Sequence, residues 1–149
     1  MVGISAASVT LRSGAEQTGT LVVSIAGGTA SALFFIQQQK LAEMNLFKQL
    51  ILEFTQRYDR MNGDLAAIRR ENRFRTDADQ QIVLDYFNLC AEEYLFYSEG
   101  YIAHRVWRSW SRGMLQYFEV APFGALWAEE GASESYYGLT LAEIKRGAA

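Results

Sequence analysis

The chain holds one cysteine, one proline and one histidine in 149 residues, and each scarcity removes a class of explanation. With Cys90 alone, no intrachain disulfide can form, so packing must hold the fold together and a reducing compartment suits the thiol. With Pro122 alone, little interrupts a helix once it has started, and no glycine or proline falls between Gly28 and Gly63. His104 has no glutamate three residues before it, so the Glu-x-x-His pairs of helical di-metal sites are missing. There is no Gly-x-Ser-x-Gly, no dinucleotide fingerprint and no phosphate-cradling loop. The glycine-rich "SIAGGTASA" lacks the lysine and the preceding strand that such a loop requires. The sequence therefore offers no catalytic, cofactor-binding or metal-ligating residue. Surplus positive charge is lacking too, since the formal net charge is -3, which argues against a nucleic-acid partner.

What is present begins with an uncharged stretch from Gln17 to Gln39. A helix from Thr18 to Ile36 would be roughly 28 Å long, close to the thickness of a hydrocarbon core. Within it, Ser24, Gly27, Gly28, Ser31 and Ala32 recur at helical spacing and form a small-residue face on which a second membrane helix can pack closely. Two other readings stay open. "ASA" at Ala30 to Ala32 fits a signal-peptide cleavage pattern, but the only basic residue upstream is Arg12. A soluble core helix this apolar on all sides needs a shell that a short chain hardly supplies. Lys40 and Lys48 lie on the C-terminal flank, followed by Arg57 and Arg60, and favour a cytoplasmic C-terminal side.

The expected fold is all-α: a short tail over 1–19, a transmembrane helix over 20–36 and a cytoplasmic helical hairpin or small bundle over 37–149. Phe47, Leu50, Ile51, Phe54, Tyr58 and Met61 form one apolar stripe, which the turn signal "NGD" at Asn62 to Asp64 is expected to end. Arg69, Arg70, Arg73 and Arg75 make the densest positive patch, read as a solvated connector paired with Glu71, Asp77 and Asp79. Thr76 followed by Asp79 reads as a capping box opening the next helix. Val83, Phe87, Cys90, Tyr94 and Tyr97 face its core, and Gly100 closes it in a left-handed cap.

A helix follows with Ile102, Val106, Trp110, Gly113 and Tyr117 as its core stripe, and with His104, Trp107, Ser111, Met114 and Phe118 beside it. Arg105, Arg108 and Arg112 form a basic stripe. Glu93 falls toward the apolar flank of its helix, and a half-buried carboxylate usually needs a cation. A hairpin would bring Glu92 or Glu93 against Arg105, Arg108 and Arg112 as buried ion pairs. Pro122 starts a short helix reaching Trp127, and Tyr136 to Arg146 form a last one with Leu139, Leu141 and Ile144 inward.

The order "MNLFKQLILEFTQRYDRM", "DYFNLCAEEYLFYSEGYIAHRVWRSWSRGM" and "APFGALW" resembles a loose group of bacterial proteins with an N-terminal membrane helix and a small helical domain of unknown function. The resemblance covers Asn45 to Trp127 and implies the architecture, with no chemistry attached. The expected role is therefore non-catalytic: an accessory or scaffold subunit of a bacterial membrane assembly, held by lipid and by other membrane subunits or a second copy of itself. One alternative is a small membrane-anchored enzyme or ligand sensor with its site near Glu93, His104 and Arg105, Arg108 and Arg112. Another is a secreted bundle whose first 32 residues are removed.

Overall fold

The computed structural model describes the backbone of residues 7–131 and 135–149, and the side chains of 31–131 and 135–149. All regular structure among the described residues is helical: α1 (Ala7–Glu71), α2 (Asp77–Ser98), α3 (His104–Phe118), α4 (Ala121–Glu130) and α5 (Leu141–Ala148). The all-α expectation holds. The chain divides into two compact units, Met1–Leu46 and Phe47–Ala149.

In the first unit the helix starts by Ala7, inside the stretch expected to be a tail. Among the described residues no helix is long and apolar enough to cross a membrane. Of the expected span over 20–36, the side chains of 20–30, and with them Ser24, Gly27 and Gly28, lie outside the described residues. Ser31 and Ala32 are exposed. Leu33, Phe34, Phe35 and Ile36 follow them at 62, 63, 69 and 49% exposure.

Among the described residues, the buried hydrophobic side chains all lie in the second unit, from Leu50 to Ile144. Within it the stripe of α1 packs as expected at Leu50 and Phe54, but the helix does not stop at Asn62 to Asp64. Leu65 and Ile68 continue the same face and are fully buried. Burying two such side chains is worth about 1.5–3 kcal/mol each, more than the ~1 kcal/mol that a helical glycine such as Gly63 costs. The true stop is Asn72, at φ 54°, a left-handed position that asparagine tolerates better than most residues.

Thr76 caps α2, its hydroxyl accepting from the Asp79 amide at 3.3 Å. The Asp79 carboxyl also reaches back to the Thr76 amide, as the capping box requires. Its closest partners are the Arg75 amide at 2.7 Å and the Arg75 guanidinium at 2.9 and 2.8 Å. Those bonds hold its carboxyl down to about 2, the guanidinium being the largest cause. The other end of α2 closes as Gly100 suggested, at φ +83°. The Gly100 amide bonds the Tyr97 carbonyl and the Tyr101 amide the Phe96 carbonyl, while the Tyr101 ring rests on Phe96 at 5.9 Å.

The buried face of α3 is rotated by one residue from the expected stripe. Trp107, Ser111, Met114, Tyr117 and Phe118 are buried, whereas Val106, Trp110 and Gly113 are only partly so and His104 is exposed. The cause is α5, which packs chiefly on α3. It does so through Gly147, where an added Cβ would collide with Trp107 Nε1 and Ser111 Oγ. The last helix begins at Leu141 rather than Tyr136, because Tyr137 and Gly138 take positive φ values of 51° and 79°. Pro122 sits in the first turn of α4, where its missing amide hydrogen costs nothing. Trp127 of that helix packs at 4.9 Å from both Phe87 and Phe118 and at 4.7 Å from Tyr136, tying α2, α3 and α4 together.

Candidate functional site

Three helices enclose a pocket of about 210 Å³ in the second unit. From α1 come Phe54, Thr55 and Tyr58, spaced so that one helical face presents two rings. From α2 come Tyr86 and Glu93, seven residues and two turns apart. From α3 come Ser109, Trp110, Gly113 and Met114. Thr55 and Ser109 are exposed and form the rim. Gly113 leaves its part of the wall open, since an added Cβ would meet nothing within 4 Å.

The rings are fixed by contacts outside the pocket as well as within it. Phe54 lies edge-on to Trp110 at 5.8 Å, and Tyr58 lies 6.3 Å from Tyr86. The Tyr58 hydroxyl meets that of Tyr117 at 3.3 Å, and burial pushes the Tyr58 phenol above its ordinary range. Tyr86 is 4% exposed, and its phenol is pushed well above its ordinary range, by burial first and then by Cys90. Cys90 is fully buried and its thiol is pushed up for the same reason, which makes it an inert core residue.

Glu93 is the exception among these apolar walls. It is 7% exposed, yet among the described residues it takes part in no ion pair and accepts no side-chain hydrogen bond. Burial pushes its carboxyl up to about 8; Arg57 offsets part of that and Glu92 adds to it. The expected cationic partner is engaged elsewhere. Arg57 of α1 pairs with Glu92, donating two hydrogen bonds, the Nη2–Oε1 contact being 3.0 Å. This fork is half-exposed, and it borders an open groove of about 620 Å³ between α1 and α2, lined by Arg57, Arg60, Asp64, Asp85 and Glu92 among others.

The α3 arginines do not meet the glutamates. Arg105, Arg108 and Arg112 are exposed; Arg108 contacts His104 Nε2 at 3.3 Å, and Arg112 Nε donates to the Ala148 carbonyl at 2.9 Å. Since arginine only donates, His104 Nε2 is the acceptor, and in the neutral ring Nδ1 carries the hydrogen toward the Tyr97 hydroxyl at 3.2 Å. Glu93, His104 and the basic stripe are thus not brought together as one site. Among the described residues no group of three His, Cys, Asp or Glu side chains is placed to hold a metal ion. In the connector, Arg75 lies against Asp79, Glu71 and Asp64. Arg73 lies 3.8 Å from Glu71. Arg69 bonds Gln116 and sits over the Tyr117 ring.

The sequence pattern singled out Glu93 and put Phe54, Tyr58, Trp110 and Gly113 on apolar stripes. It did not join them, and it missed Thr55, Ser109 and the Arg57–Glu92 fork. A glycine inside an apolar stripe was the available signal, because it marks either a close approach or a space. Comparison with protein-family models, curated proteins and solved structures gives no match to this chain.

Proposed function

We propose that the protein is a non-catalytic, single-span membrane protein. Its segment 20–36 is held in lipid, its domain 37–149 lies on the cytoplasmic side, and it serves as a scaffold or accessory subunit through helix–helix contacts. The observation that carries this reading is the run Leu33, Phe34, Phe35 and Ile36, each at least 49% exposed. Consecutive helical residues point about 100° apart, so four of them cover the whole perimeter. An apolar surface facing every direction is not served by one-sided packing; lipid, or a partner's membrane helices, solvates it.

Membrane fractionation tests it. After an alkaline carbonate wash, the intact chain is expected in the membrane pellet, with the domain from Phe47 onward digestible from the cytoplasmic side only. Release into the supernatant overturns the anchor and the topology together. For the small-residue face, Gly28→Leu is expected to lower the particle mass in mild detergent; an unchanged mass removes that face as the contact.

A second reading, that the domain binds a small ligand, is favoured by the Glu93 pocket and is compatible with anchoring.

A further inference from the structure

From the buried, unpaired Glu93 carboxyl and the aromatic walls that surround it, we infer that the pocket is a binding site for a small organic cation of the alkylammonium class. The inference rests on the second reading above and names its ligand. A carboxyl 7% exposed with no cation in contact is a costly thing to build into an aromatic core. An ammonium ligand supplies the missing counter-charge. The ring faces of phenylalanine, tyrosine and tryptophan attract the same charge, so Phe54, Tyr58, Tyr86 and Trp110 are the appropriate walls for such a guest. An anion would meet the Glu93 carboxyl with no cation among the lining residues to offset it, and a purely apolar guest would leave that carboxyl without a partner.

The volume suits the class. At about 30 Å³ for each water-sized group, 210 Å³ has room for roughly seven such groups, enough for a methylated amine. Gly113 keeps that volume free, and the exposed rim at Thr55 and Ser109 gives access.

Binding is coupled to protons. The charged and titratable groups around Glu93 are Arg57 and Tyr58 on α1 and Tyr86, Cys90 and Glu92 on α2, with none lining the pocket from α3. Below about pH 8 Glu93 holds its proton and must release it to take a cation, so affinity falls about tenfold for each pH unit below that point.

Choline and tetramethylammonium are the probes, titrated calorimetrically into the full-length protein, with the carbon isostere of choline, in which tert-butyl replaces trimethylammonium, as the neutral control. The expected result is saturable binding of both cations with proton release, at least tenfold preference over the isostere, loss of binding in Glu93→Gln and Gly113→Leu, and retention in Glu92→Gln. Binding that survives Glu93→Gln overturns the proposal. Equal binding of cation and isostere, abolished by Gly113→Leu, also overturns the cation assignment while leaving a ligand pocket in place. No binding of any probe in a wild-type protein with a cooperative melt removes both the assignment and the ligand-binding reading.

Discussion

Glu93 makes the stability of the empty protein depend on pH in a direction opposite to most carboxylates. Its folded value is about 8 against an ordinary 4.5, so folding takes up a proton between those two limits. Below about pH 4.5 the group is neutral in both states and costs nothing extra. As pH rises toward 8, stability falls by about 1.4 kcal/mol per unit at most, and above that the loss is complete. Glu93→Gln keeps the shape and removes the charge. Urea denaturation at a series of pH values is expected to show a falling wild-type curve over that range and a flatter variant, more stable by a few kcal/mol near pH 8. Identical curves would mean that Glu93 is ionised and satisfied in the fold. A second residue-scale test concerns Gly147, whose missing side chain lets α5 sit on Trp107 and Ser111. Gly147→Ala is expected to cost about 1–3 kcal/mol by overpacking, visible as a lower melting temperature. Gly113→Ala, at a helical glycine with open space, is expected to add up to ~1 kcal/mol.

At the scale of elements, the two ends of α2 carry predictions of different kinds. Thr76→Ala removes the cap on the Asp79 amide and is expected to cost about 1 kcal/mol. Asp79 is depressed to about 2, so its contribution is complete above the ordinary carboxyl range near 4 and is lost as pH falls through 2. Asp79→Asn is expected to remove that acid-side decline, which a melting series between pH 2 and 5 measures. Thr76 and Gly100 were readable because a cap is local chemistry: a hydroxyl three residues before an amide, or a residue without Cβ where φ is positive. The end of α1 was not readable, because Asn62 to Asp64 is a real turn signal overruled by Leu65 and Ile68, whose burial depends on distant helices. The rotated face of α3 has the same origin, since nothing near Trp107 or Ser111 announces that Gly147 will land there. The pocket stood between these cases. Each wall residue lay on a visible stripe, but which stripes face one another is a tertiary fact, and Arg57 proved closer to Glu92 than any α3 arginine.

For the whole molecule, the distribution of buried residues separates the source of stability from the proposed anchor. Among the described residues, every buried hydrophobic side chain lies between Leu50 and Ile144, within the unit Phe47–Ala149, whereas the apolar residues described in the other unit are exposed. A fragment beginning at Phe47 therefore loses none of the core described and keeps the aromatic cluster of Phe87, Phe118, Trp127 and Tyr136. About a hundred residues with a single connected core are enough for cooperative folding without a disulfide or metal. The fragment is expected to melt in one transition within a few degrees of the full chain and to stay dispersed without detergent, while the full chain partitions with membranes. The comparison separates the two roles, because an unfolded fragment would show that residues before Phe47 contribute to the core. A folded fragment whose full-length parent also remains in the aqueous phase would instead leave the core intact and remove lipid as the solvent of Leu33 to Ile36.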